Sequence, residues 1–361
     1  RIGLTSKLMY KKGSINIYAA SNKIDRQIES SFPNNFKAQS YIFDAFNKYV
    51  FKERFYTVVG LNVQENKMDS YLIPFNETNL QQSIDRKIAS FSIYDPYINV
   101  VYESEFGLNI NSGLRLNNHN EYGSNFVYNV NPSFTKSTKF GYFKGMVSYS
   151  TAYITPSLYQ LFEPTYGNAD LSPEENSTFE IGSEINFTDR ATLSLVYFNR
   201  KETNFIDFID LGGFVFQYMN VDEKFTASGF EFVANYNVSN RIKLMANGTY
   251  TRVAEELDLR IPEIKVNASI NYQISDKSLL RLDYQYNDER NDLVFNNSTF
   301  MNDTIILDSY SLLDLYFSTK VKHDKILLFA NITNLLNEEF QELFGFSTKG
   351  RNINIGFNLT L

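Results

Sequence analysis

The segment Arg351–Leu361, RNINIGFNLTL, places an apolar residue at every second position. Ile353, Ile355, Phe357, Leu359 and Leu361 fall on one side of an extended chain, and Asn352, Asn354, Gly356, Asn358 and Thr360 on the other. A period of two is that of a β-strand with one greasy and one polar face. In a soluble sheet the greasy face meets a core. In a transmembrane barrel it meets lipid, and the polar face lines a wet interior.

The same period recurs along the chain. In IKVNASINYQI, Ile264, Val266, Ala268, Ile270, Tyr272 and Ile274 oppose Lys265, Asn267, Ser269, Asn271 and Gln273. In LLRLDYQY, Leu280, Leu282, Tyr284 and Tyr286 oppose Arg281, Asp283 and Gln285. In TFEIGSEINF, Phe179, Ile181, Ile185 and Phe187 oppose Thr178, Glu180, Glu184 and Asn186. Charges on the polar face of such long strands call for water on that side. The pattern therefore predicts Ile353, Ile355, Phe357 and Ile270 pointing outward, and Asn354, Arg281 and Glu180 inward.

The connections alternate in length. Tight polar turns occur at YKKGS, VFKER, FTDRA, VSNRI, ISDKS and VKHDK, the Gly, Asn, Asp and Ser chemistry of antiparallel hairpins. Longer connections fall at roughly 25–35, 65–86, 155–174, 208–222, 255–261, 291–305 and 334–349. Short turns on one rim and long loops on the other are the habit of an outer-membrane barrel. A β-sandwich has no reason to keep that asymmetry. About seventeen strands fit between the connections. Single-chain bacterial barrels carry even numbers, and a first strand from Leu4 to Tyr10 has no N-terminal partner. Both features predict a sequence that starts partway through a barrel.

Composition agrees. Of 361 residues, 25 are Tyr and 32 are Phe, with no Trp, enough amphipathic rings to supply girdles at both lipid–water boundaries. No apolar run approaches the ~18 residues of a membrane-spanning helix, which says nothing against spanning strands. With no Cys there is no disulfide, thiolate metal site or thiol nucleophile. A net charge of -7 speaks against a nucleic-acid partner. Sequons at Asn176, Asn267 and Asn331 reflect the abundance of Asn.

Several segments resemble, in family order, those of TonB-dependent outer-membrane receptors. YGNADLSPE supplies Tyr166, Gly167, Asn168, Leu171, Pro173 and Glu174 of their Tyr-Gly-Asn-x-x-Leu-x-Pro-Glu segment. GLRLNNHNEYGS, YSTAYITPSLYQLF, FTASGFEFVANY, RIPEIKVNASINY and the closing NITNLLNEEFQELFGFSTKGRNINIGFNLTL are similar to further family segments. Phe340 stands where the family usually has Tyr, and Leu361 where it has a terminal aromatic. RLNNHNEYG and PSLYQLFEPTYGNADL look like the cobalamin-receptor branch. The resemblance implies an all-β, transmembrane antiparallel β-barrel, about 17 strands of a 22-stranded barrel. Residues 1–361 would be its C-terminal portion, strands about 6 to 22, without the plug domain. It also implies the bacterial outer membrane, a multi-pass chain, and energy-coupled uptake of a scarce nutrient. Cobalamin comes first, and an iron–siderophore or haem next. The TonB energy-transducing complex would act through the missing plug. The alternatives are a passive porin and, less fittingly, a soluble β-sandwich binding module.

Catalysis reads thinly. His119 enters an outer loop and His323 sits in a tight turn, so the groups of a metal site or Ser–His–Asp triad lie on opposite rims. No enzyme activity and no cofactor are expected, although Glu163, Asp170 and Asp222 are candidates for a loop Ca²⁺. Arg115 and Arg260 are read as lumen or structural charges. Recognition belongs to the outer loops. The candidate ligand contacts are Tyr159, Phe162, Tyr166, Phe216, Tyr218, Asn220, Phe344 and Phe346, with Phe214 and Phe340 beside them. Their rings can cover a flat ligand while polar groups orient it.

Overall fold

The computed structural model describes residues 1–31, 33–74, 76–188, 190–213, 215–221, 224–254, 258–299, 301–322 and 325–360. His323, Phe214, Asp222 and Leu361 lie outside the described residues. The chain clusters into two compact units. The first comprises Arg1–Ser133, Ser148–Phe179 and Arg200–Phe225, and the second Phe134–Val147, Glu180–Asn199 and Thr226–Leu361.

In the first unit, β1 (Ile2–Tyr10), β2 (Gly13–Ile28), β3 (Asn34–Lys52) and β4 (Phe55–Leu72) pair in sequence, each antiparallel to the next. The short β5 (Gln81–Ile84) adds to one end of β4, which also pairs with β6 (Ser90–Glu103), followed by β7 (Leu108–His119). β8 (Gly123–Thr138), β9 (Gly141–Ile154), β10 (Glu174–Phe187) and β11 (Ala191–Thr203) contribute residues to both units. A short helix, α1 (Leu158–Phe162), and the hairpin β12 (Ile206–Asp210)–β13 (Phe216–Asn220) belong to the first unit.

In the second unit the meander is β14 (Phe225–Asn237), β15 (Ile242–Val253), β16 (Ile264–Ser275) and β17 (Ser278–Asn287). After the hairpin β18 (Arg290–Asn296)–β19 (Met301–Leu307), β17 pairs with β20 (Tyr310–Val321), then come β21 (Ile326–Thr333) and β22 (Asn352–Leu359). With β5 and the two loop hairpins set aside, seventeen strands remain among the described residues.

Register converts the alternation into continuous faces. Tyr236, Leu244, Ile270, Leu282, Leu315, Ile332 and Ile353 lie opposite one another across seven strands of the second unit. The next row is Asn237, Lys243, Asn271, Arg281, Tyr316, Asn331 and Asn354. Because neighbouring residues point to opposite faces, one face is apolar and the other polar, as the alternation predicts for Ile270, Ile353, Arg281 and Asn354.

The first unit carries a hydrogen-bonded polar face. Asp44 accepts from Asn62 Nδ2 at 3.0 Å and from the Tyr97 hydroxyl at 3.1 Å. Arg115 pairs with Asp95 at 2.8 Å and reaches Asn62 Oδ1 at 3.4 Å. This is the structural role read for Arg115. Gly60 gives the Tyr97 ring its room, since a Cβ there would lie 2.4 Å from the ring.

Apolar side chains are not gathered into a core. Only ten hydrophobic residues are buried among those described, whereas Ile353, Ile355 and Phe357 are 60%, 81% and 67% exposed. Ile264 and Ile270 are exposed too, while Val266 is half-buried. A water-soluble sheet would have covered this face; hydrocarbon is the solvent that leaves it bare.

The connections depart from expectation in two ways. β2 and β3 extend into the 25–35 connection, through 25–28 and 34–35, and β4 into 65–86 as far as Leu72, so these strands continue beyond the length a membrane requires. The segments 208–222 and 291–305 are not plain loops but hold the two hairpins. Gly212 and Gly213, at φ 85° and 64°, turn the first one. Gly adopts the positive φ of such a turn at no steric cost.

Candidate functional site

Helix α1 begins with a capping box: Ser157 Oγ accepts from the Gln160 N–H at 3.2 Å, and Gln160 Oε1 accepts from the Ser157 N–H at 2.8 Å. Its Leu158 is buried against Ile84 and Ala89, with Phe162 packed on the same cluster. The β5 turn that carries Ile84 is tied down by Asp69, whose carboxylate accepts from the Arg86 N–H at 2.7 Å and Nε at 2.6 Å. Burial opposes ionisation of Asp69, but the Arg86 hydrogen bonds outweigh it and hold the carboxyl below its ordinary 3.8.

The helix ends at Glu163, a buried residue. Its carboxylate accepts from the Thr165 N–H at 2.7 Å and the Tyr166 N–H at 2.5 Å. The Gly167 N–H bonds the Glu163 carbonyl at 2.9 Å, an approach in which a Cβ would lie 2.4 Å from that oxygen. The Tyr-Gly-Asn segment then docks the β12–β13 hairpin. The Tyr218 N–H donates to the Tyr166 carbonyl at 2.9 Å, Gln217 Nε2 to the Gly167 carbonyl at 3.1 Å, and Asn168 Nδ2 to the Tyr218 carbonyl at 3.0 Å.

This docking collects rings. Tyr166 meets Phe208 edge-on at 5.3 Å, Phe208 stacks on Phe216 at 5.6 Å, and Tyr218 lies 5.1 Å from Phe208. Tyr159 meets Tyr218 at 6.4 Å and Phe36 at 5.8 Å. Four expected residues, Tyr159, Tyr166, Phe216 and Tyr218, thus come together, joined by Phe36 and Phe208. Neither is a candidate from the sequence: Phe36 lies on β3, just outside the 25–35 connection, and Phe208 at the very edge of the 208–222 connection, on β12. Burial first, and Glu163 second, push the Tyr159 and Tyr218 phenols up, so both hydroxyls stay protonated as donors at neutral pH.

The other candidates fall elsewhere. Phe162 belongs to the packing under α1. Asn220 is a clamp: its side chain accepts from the Ser172 N–H at 2.8 Å and donates to the Ser172 carbonyl at 2.9 Å and the Asn204 carbonyl at 2.7 Å. Asn220→Ala is expected to free the hairpin locally at a cost of about 1–3 kcal/mol. Hydrogen exchange should rise across 204–220 and stay unchanged in β2–β4. Phe344 and Phe346 are exposed, at 45% and 65%, in the second unit. There Phe340 lies tilted against Tyr310, ring centres 4.3 Å apart, and the Phe344 N–H is held by Asp292 at 2.8 Å. Arg260 pairs with the same Asp292 at 2.7 Å.

His119 is buried between Phe91 and Tyr122. Its Nδ1 accepts from the Glu121 N–H at 3.1 Å, its Nε2 has no partner among the described residues, and burial lowers its pKa. Glu163 is occupied by backbone N–H groups, and no group of three His, Cys, Asp or Glu is placed to hold a metal ion among the described residues. The ring cluster thus offers neutral π faces, phenol donors and backbone amides.

The family described as TonB dependent receptor-like, beta-barrel matches residues 4–335. The chain belongs to this family. It is an all-β, antiparallel transmembrane barrel chain of the bacterial outer membrane, from a family of receptors and transporters. TonB-dependent receptors bind small-molecule nutrients. A curated relative, the vitamin B12 transporter BtuB of Vibrio cholerae serotype O1, is 29% identical over 254 residues. That match covers 69% of this chain and 39% of the relative. Among solved structures, the copper transporter OprC superimposes with a TM-score of 0.82 at 14% identity, over 99% of this chain and 64% of that one. The siderophore receptor PirA from Acinetobacter baumannii gives 0.78 at 16%, over 98% and 61%. This receptor chain therefore spans under two thirds of the length of each of these relatives.

Proposed function

We propose that this chain forms most of the wall and outer loops of a receptor for energy-coupled uptake of a scarce nutrient, a cobalamin-like macrocycle first and an iron–siderophore or haem next. The chain would provide strands about 6 to 22 of a 22-stranded barrel, with the plug, and through it the TonB complex, supplied by residues outside this sequence. The single observation that carries the reading is the ring cluster. Tyr159, Tyr166, Phe216 and Tyr218 are held by the Tyr-Gly-Asn docking of β12–β13, on a barrel of the receptor family. Rings fixed in advance lose little entropy on binding, and flat conjugated ligands match their faces. Phe344 and Phe346 add exposed rings on another loop. Phe162 and Asn220 support the site without being required to touch ligand.

The full-length receptor in detergent, titrated with cyanocobalamin, haemin and a panel of ferric siderophores, tests this. One ligand is expected to bind at sub-micromolar concentration. Tyr218→Ala and Tyr159→Ala should each weaken it roughly 3- to 10-fold, the scale of one aromatic contact. Uptake by cells should stop when the inner membrane is de-energised. Energy-independent passage of unrelated small solutes, with no saturable binding, would mean a porin instead.

A further inference from the structure

Where β17 gives way to β18, the second unit buries a cation with no ion-pair partner among the described residues. Arg290 is 8% exposed. Its guanidinium donates to the Gln341 carbonyl and, at 3.5 Å, to the Asp288 carbonyl, and lies 5.4 Å from the centre of the Tyr310 ring. No carboxylate comes within 4.0 Å of it among the described residues. Buried charges are ordinarily paired, because the desolvation cost is otherwise met only by dipoles.

Arg290 lines a recess of about 230 Å³ together with Arg260, Lys265 and Glu342. Lys265 is exposed and makes no ion pair among the described residues. Glu342, the only carboxylate on the wall among the described residues, accepts from the Tyr310 hydroxyl at 3.3 Å. Arg260 is already paired with Asp292 at 2.7 Å, so the charge excess is that of Arg290 and Lys265 over Glu342. The recess is smaller than the roughly 300–1,000 Å³ of a whole small-ligand site, so it suits one functional group. Lys265, Asn267, Gln285 and Asn287 all enter it from the polar face of β16 and β17. Its occupant therefore arrives from the aqueous side and not from lipid.

We propose that this recess is an oxyanion subsite, taking a carboxylate or phosphate group of a solute, with Arg290 as the buried anchor and Lys265 and Arg260 at its mouth. The inference rests on the receptor reading only for its biological setting, since it concerns residues separate from the ring cluster.

Isothermal titration of the full-length receptor, in detergent free of lipopolysaccharide, with citrate and with inorganic phosphate tests the proposal. Saturable binding is expected in low salt, weakened at least tenfold by Arg290→Gln and at least threefold by Lys265→Gln. Neutral glycerol should give no heat. The lysine variant, on an exposed polar face, keeps the test valid if the buried arginine proves necessary for folding. Absence of citrate and phosphate binding, or equal affinity in wild type and both variants, overturns the subsite even if a nutrient from the panel binds. If citrate binds with the stated dependence while no nutrient does, the subsite stands and the receptor reading falls.

Discussion

Ile270→Arg is expected to destabilise the barrel by about 2–4 kcal/mol, the cost of a cation facing lipid near the bilayer centre. Ile270 lies six residues above the turn at Asp276 and Lys277. At a rise of about 3.3 Å per residue and a tilt of about 45°, that is roughly 14 Å along the membrane normal. The position falls near the middle of an apolar band about 25 Å tall. Its row neighbours, Leu244 and Leu282, offer no charge to pair with. The neighbouring residue provides the control. Ser269 is on the opposite face, opposite Met245 on one side and Asp283 on the other. Ser269→Arg is expected to change stability by no more than about 0.5 kcal/mol. Urea unfolding in lipid vesicles, and the temperature at which the folded band is lost on unheated gels, should separate the two variants. Equal effects at 269 and 270 would mean that the two faces do not see different solvents.

Asp292→Ala is the second large effect, and it is local. The residue is 1% exposed. Its carboxylate accepts from Arg260 Nε at 2.7 Å, the Phe344 N–H at 2.8 Å and the Leu293 N–H at 2.9 Å. It thereby latches the β18–β19 hairpin to the loop 334–351 that carries Phe344 and Phe346. Removing it strands two backbone donors and unpairs a guanidinium. Arg260 is half exposed and regains water, so the expected cost is roughly 2–4 kcal/mol, below that of breaking a fully buried pair. Proteolytic nicking within 334–351 should quicken, while the β14–β17 strands keep their exchange protection. The latch also has a pH sign. Burial opposes ionisation, but the Phe344 N–H, Arg260 and the Leu293 N–H together outweigh it and hold the carboxyl below 3.8. A depressed pKa contributes stability that is full above about 3.8 and lost as pH falls through the folded value. Nicking of the wild type should therefore stay constant from neutral pH down to about 4 and rise only below it.

The two faces are legible in the sequence itself. RNINIGFNLTL and IKVNASINYQI each assign their residues to a side by counting in twos, and the register places Ile353 and Ile270 in one apolar row. The strand number was legible from the turns for the same reason: both are signals confined to a few adjacent residues. The loop interiors were read less well. FIDFID, residues 205–210, repeats every three residues and so lacks the period of two, and Phe216–Asn220 lies within a stretch recognised only by its length.

The alternation by itself determined that this protein has one greasy and one wet side and is a chain of paired strands, because side-chain direction along a strand depends on the parity of position alone. Only the tertiary structure decided what the loop residues do. Asn220 is a clamp because Ser172 is its neighbour, Phe208 joins the rings because Tyr166 docks its hairpin, and Arg290 is buried against a carbonyl and a ring because Gln341 and Tyr310 close over it. Those partners are chosen across tens of residues by the packing of loops. No local period encodes that choice.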